Sequence, residues 1–129
     1  MMNHELYLWD LQAELCQSLG NPIRLRIIHS LKEAPKSVGE ISAEMGLAQP
    51  TASRHLSVLR ANGILTANRK AQEVYYEIAN QKVMEVCEMM RSILAEREAQ
   101  RLDLYHYFQG ESLSLKTKEM PYVPQHVTP

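Results

Sequence analysis

Between Ser37 and Gly63 the chain specifies two helices and the turn between them through local signals that leave it little freedom. Ser37 and Glu40 have the S-x-x-E spacing of a capping box, in which the serine oxygen takes the third amide and the glutamate reaches back. A short helix therefore starts there and turns Val38, Ile41 and Met45 inward. Gly46 is placed to end it, because glycine adopts the left-handed C-cap conformation without steric cost. Leu47 and Ala48 leave a tight connection. Pro50 then suits the first turn of a second helix, where its missing N–H has no intrahelical partner to lose. Wound as a helix, the stretch after it puts Ala52, Leu56 and Leu59 on one stripe. Pro50, Arg54 and Ser57 face the other way, with Thr51 and Ser53 beside them.

Asn62-Gly63 stops the second helix, and the period changes. Ile64 to Arg69, a polar tip, and Glu73 to Ile78 read as a β-hairpin, because Val74, Tyr76 and Ile78 alternate with Tyr75 and Glu77. Helix, turn, helix and hairpin together make a winged helix. The fold class is α+β, mostly α, a winged helix-turn-helix with a two-stranded β-hairpin wing and long terminal dimerisation helices.

Local charge adds a function class. The whole chain balances 14 Lys+Arg against 15 Asp+Glu for a net charge of −1, which excludes a general polycation. Between Glu44 and Glu73, however, there is no acid, while Arg54, Arg60, Arg69 and Lys70 all fall there. The outer face of the second helix and the hairpin tip thus form one basic segment, suited to nucleic-acid phosphates.

Upstream, Leu8, Leu11, Leu15 and Leu19 make a helical stripe, and Trp9 with Cys16 lie on a neighbouring face. One stripe can meet the chain's own core and the other a second subunit. Asn21 is the expected cap of the next helix, with Pro22 in its first turn and Ile23, Ile27 and Leu31 buried. Arg24 and Arg26 are expected to be solvated, with a phosphate contact as the alternative. After Asn80, another cap, a long helix carries Val83, Cys87, Met90 and Leu94 in line with Val86 and Ile93 beside them. Met84, Met89 and Met90 suit either plain packing or an adaptable interface. The helical pattern runs on to Phe108, and Gly110 breaks it. Residues 1–108 are assigned to one DNA-binding and dimerisation domain, and 109–129 to a tail either disordered or packed on the partner subunit. No apolar run reaches the length of a membrane span, and no signal peptide is legible, so a cytoplasmic protein is expected.

Asn21-Pro22-Ile23-Arg24-Leu25-Arg26-Ile27-Ile28, Gln49 to Leu56, Leu59 to Leu65 and Val74 to Ile78, in this order and spacing, resemble the ArsR/SmtB family of winged-helix repressors. The resemblance covers roughly residues 6–97. It implies a homodimer on a double-stranded DNA operator, released when an inducer binds, with the long last helix pairing with the first across the dimer axis. Where the family usually has glycine and arginine at the hairpin tip, Ala71 and Gln72 stand, which predicts a wider turn and a weaker minor-groove grip.

Residue type then assigns the DNA contacts. Arg54 can bond a guanine edge in a fork, and Gln49, Thr51, Ser53 and Ser57 can bond bases or phosphates. Arg69 and Lys70 are expected on the backbone. His55, at the edge of the apolar stripe, reads equally as a hydrogen-bonded structural residue or a phosphate contact.

The family's zinc-sensing pattern meets Asn80, Lys82, Ile93 and Glu96 here, so only the glutamate matches, and Glu40 to Met45 lacks the cysteines of its other metal site. No cofactor or metal is expected. An irregular site from Cys16, Cys87, His4, His106 and His126 is the metal-sensing alternative. Cys16 and Cys87 lie on elements that pack together in the family, which makes them either a thiol switch for a thiol-reactive inducer or two packing thiols. Nothing spells an enzyme: no nucleophile and base are in evident reach, and no phosphate-cradling motif occurs. A winged-helix protein-interaction module is the rival binding function.

Overall fold

The computed structural model describes residues 4–110. Its elements are α1 (His4–Leu19), α2 (Pro22–Ser30), β1 (Lys36–Ser37), α3 (Val38–Met45), α4 (Gln49–Ala61), β2 (Leu65–Lys70), β3 (Glu73–Ile78) and α5 (Lys82–Gln109). Two compact units are distinguished, one ending at Cys87 and the other starting at Glu88. The expected tail lies outside the described residues from Glu111 on.

Each boundary of the helix-turn-helix has a local cause. The Ser37 side chain accepts from the Glu40 amide at 3.2 Å while the Glu40 carboxylate accepts from the Ser37 amide at 3.1 Å, completing the capping box. Gly46 closes α3 at φ 67, the left-handed region. Pro50 stands in the first turn of α4, which has no side-chain cap. Asn21 caps α2 by accepting from the amides of Ile23 and Arg24, and the Asn80 side chain accepts from the amide of Lys82 as α5 begins.

The core of the first unit is one cluster of Ile27, Ile28, Leu31, Ile41, Leu56, Leu59, Ile64, Leu65 and Met84. Ile23, Val38, Met45, Tyr76, Ile78, Val83 and Cys87 pack around it. Ala52, Leu56 and Leu59 have no exposed surface at all, so the apolar stripe of α4 lies wholly inward. Met84 is a core residue, while Met89 and Met90 are exposed, which divides the three methionines between packing and surface.

Three strands, ordered β1-β3-β2, form an antiparallel sheet. The hairpin is the one expected, and two residues before α3 extend it: Lys36 pairs with Tyr76 and Ser37 with Tyr75. A two-residue strand is too short to show a period, so nothing in its sequence announces it. The tip corrects an expectation. Lys70 pairs directly with Glu73, leaving a tight two-residue turn, and Ala71 takes φ 57 at its first position. That is the sign and place at which a type II′ turn favours glycine. The strand register overrides the alanine's reluctance, so the turn is narrow rather than wide.

Leu8, Leu11, Leu15 and Trp9 are exposed, so α1 places only Leu19 of its leucine stripe against the core. On α5, Val86 is exposed, and in the second unit so are Met89, Met90, Ile93 and Leu94. No helix among the described residues is long and apolar enough to cross a membrane.

Ala71→Gly relieves a strained left-handed alanine at the expense of a more flexible unfolded chain. It is expected to raise unfolding stability by about 0.5–1 kcal/mol in urea denaturation, and a loss of stability would show that the turn is unstrained.

Candidate nucleic-acid interface

Burying three positions of α4 decides what its remaining positions can do. With Ala52, Leu56 and Leu59 turned into the core, Gln49, Ser53, Arg54 and Ser57 are left exposed and Thr51 half-buried. Among the described residues, the side chains of Arg54, Arg69 and Lys70 make no hydrogen bond or ion pair within the chain. None of the three is thus tied up in a direct ion pair, although Lys70 stands opposite Glu73 in the hairpin. Gln49 leans back towards α3: its amide nitrogen lies 3.7 Å from where a Cβ would stand on Gly39.

On the wing, alternation separates the two cations. Lys70 is opposite Glu73 and shares its face with Tyr75 and Glu77, whereas Arg69 is opposite Val74 on the face of Tyr76 and Ile78. That Glu73/Tyr75/Glu77 face is tied by local hydrogen bonds. Tyr75 donates its hydroxyl to Glu73 at 3.0 Å, and Asn68 donates its amide to Glu77 at 3.2 Å. The hydrogen bond to Glu73, then its charge, then desolvation and the more distant Glu40 push the Tyr75 phenol above its ordinary 10.0. The carboxylates weaken the pull of Lys70 on phosphate without removing it. Arg69, away from this face, is the less encumbered cation.

His55 and Arg24 both turn out otherwise than as surface charges. His55 is half-buried with Nδ1 3.4 Å from an Arg24 terminal nitrogen. Arg24 also donates from Nε to the Ser18 carbonyl at 2.6 Å and from its other terminal nitrogen to the Gln17 carbonyl at 3.2 Å. It is therefore not the solvated arginine expected. Its acceptors are main-chain carbonyls and a ring 31 positions away, which no sequence spacing reveals. Burial first, then Arg24, then Arg54 hold the His55 imidazole below its ordinary 6.5.

Cys16 is exposed on α1, Cys87 half-buried against the core, and no disulfide links them. Among the described residues no three His, Cys, Asp or Glu side chains gather as a metal site would require. Of the histidines considered for one, His126 lies outside the described residues.

Known proteins share the sequence pattern and the fold. Residues 21–67 match the family model described as bacterial regulatory protein, arsR family. A biofilm growth-associated repressor of Xylella fastidiosa is 33% identical over 88 residues, spanning 68% of this chain and 77% of that protein. A homodimeric winged helix-turn-helix DNA-binding domain from Mycobacterium bovis superposes with a TM-score of 0.69 at 27% identity, covering 74% of this chain and 89% of that one. A crystal structure of a Mycobacterium tuberculosis protein gives the same TM-score at 34% identity, with 74% and 96% covered.

The wing's polar face has a direct spectroscopic check. In Glu73→Gln the Tyr75 phenol loses both the charge and the charged acceptor that raise it, so its titration midpoint moves down towards 10.0. NMR titration of the tyrosine ring signals reads this, and an unchanged midpoint would disprove the Tyr75–Glu73 contact.

Proposed function

The chain belongs to the ArsR family of bacterial regulatory proteins, and from that premise we propose that it is a homodimeric repressor that reads its operator through α4 and leaves it on sensing a thiol-reactive inducer. One observation carries the DNA part of this reading. The helix whose apolar stripe is fully buried turns an exposed face of Ser53, Arg54 and Ser57 outward, in a stretch of chain without a carboxylate from Met45 through Gln72.

Small hydroxyls let a helix approach the base edges of the major groove, and a free guanidinium can bond both acceptors of guanine. Arg54 is the base reader. Gln49, Thr51, Ser53 and Ser57 add base or phosphate contacts, and Arg69 and Lys70 bind backbone phosphates. Two copies are needed to match two half-sites. The exposed leucines and Trp9 of α1, with Trp9 showing 60% of its surface, and the exposed apolar residues of α5 supply the area that a partner would cover.

Release is assigned to Cys16 and Cys87. In a single chain α1 packs on α2 and α4, so a link between the two cysteines is proposed to run between subunits, where α1 of one copy meets α5 of the other. An oxidant that takes two electrons and two protons closes a disulfide there, and a trivalent arsenical bonds both sulfurs. Either would displace the paired helices and with them the spacing of the two reading helices.

An operator duplex selected from a random-sequence pool by the wild-type protein tests the DNA reading, since no enrichment would end it. On that duplex Arg54→Ala is expected to cost about 1–3 kcal/mol, while Lys70→Ala weakens operator and random duplex alike. Equal losses on both duplexes for Arg54→Ala would remove it as a base reader. Cys16→Ser with Cys87→Ser should keep operator binding but no longer release DNA to diamide or arsenite, and undiminished release would eliminate the thiol switch.

A further inference from the structure

The reading helix is held from behind by apolar contacts and by one polar tie. Ala52, Leu56 and Leu59 bury α4 in the core, but apolar contact is non-directional and sets depth better than angle. The directional restraint comes from Arg24. Its guanidinium spans two carbonyls in the last turn of α1, those of Gln17 and Ser18, and the ring of His55 on α4. The last carbonyls of a helix have no intrahelical partner and carry partial negative charge, so a cation is favoured there. A guanidinium has donors only, hence Nδ1 of His55 accepts and the ring proton resides on Nε2.

We propose that Arg24 is a positioning residue for operator recognition: it fixes the angle of α4 against α1 through a neutral His55, and a proton on His55 breaks the tie. The proposal rests on the reading of α4 as the groove-reading helix. It also gives α1, whose exposed apolar face awaits a partner subunit, a direct polar connection to the residue next to Arg54.

The charged groups around His55 set the direction of its response. Arg24 approaches from α2, and Arg54 precedes it on α4. From α1, Glu14 lines with Arg24 an open cleft of about 390 Å³ whose other walls are Gln17, Ser18, Val58 and Asn62. Burial and the two arginines oppose a proton on the ring, and the imidazole is held below its ordinary 6.5. Above 6.5 the ring is therefore neutral and the tie intact. As pH falls through the depressed value the ring takes a proton, Nδ1 ceases to accept, and two cations stand 3.4 Å apart. A histidine that merely touched a DNA phosphate would respond oppositely, since its proton would add attraction as pH falls.

The test is the operator affinity of the full chain, on the selected duplex and on random duplex, from about pH 8 down to about pH 5.5, each protein scaled to its own value at the upper end. His55→Asn is the reference, because an asparagine oxygen can accept near the Nδ1 position and does not titrate. Wild type is expected to lose several-fold more operator affinity than His55→Asn across this range. Arg24→Lys keeps the charge but cannot span three acceptors. It is expected to bind operator several-fold more weakly at the upper end, to bind random duplex as wild type does, and to lack the steep fall. Parallel profiles for wild type and His55→Asn, or a relative gain for wild type at low pH, would overturn the tie while leaving operator selectivity in place. Absence of operator selectivity at every pH would instead overturn the groove-reading assignment, and the tie with it.

Discussion

Withdrawal of Ala52, Leu56 and Leu59 from water is the constraint from which the rest of this molecule follows. Sealing a single large aliphatic side chain away from water is worth about 1.5–3 kcal/mol, so two leucines and an alanine on one stripe leave α4 no alternative orientation of comparable energy. Helical geometry then delivers Ser53, Arg54 and Ser57 to the opposite side without any interaction of their own to hold them there. The exposed face of α4, Ser53, Arg54 and Ser57, is made of residues outside the core cluster. The stripe that builds the core and the face that remains exposed are thus separate sets of α4 residues, so either can vary without unfolding the other.

Charge is arranged by the same separation. A chain of almost balanced charge would not approach a phosphate backbone unless its cations were segregated from its acids, and between Gly46 and Gln72 they are. The wing shows how finely this is drawn: one face carries Glu73 and Glu77, while Arg69 points to the other. Lys70, held opposite Glu73, has its field partly cancelled before any partner arrives. Arg54 and Arg69 therefore meet less local competition than Lys70.

Much of this is legible in the sequence because its causes are local. The capping box, Gly46, Pro50, Asn21 and Asn80 act within one turn, and the stripe of α4 needs only the helical period, so boundaries and inward faces can be read residue by residue. Features that depend on distant partners are not legible. Lys36–Ser37 becomes a strand only because β3 is there to pair with it, and Ala71 turns left-handed because the register of two strands demands it. Arg24 looks like any helical arginine until its acceptors are brought to it from α1 and α4. The stripe on α1 is visible as a pattern, but a pattern does not say what covers it, and within one chain only Leu19 is covered. Met84 is likewise indistinguishable from Met89 by composition, and only burial separates them.

Ser37 belongs to two structures at once, pairing with Tyr75 in the sheet and capping α3 through Glu40. Wing and helix-turn-helix are consequently welded at a single residue with no slack between them. Any insertion or deletion there would have to disturb strand pairing and helix initiation together. Length changes across related proteins should therefore gather on the sequence side before Lys36, where Lys32 to Pro35 form an exposed connection, and spare the joint itself.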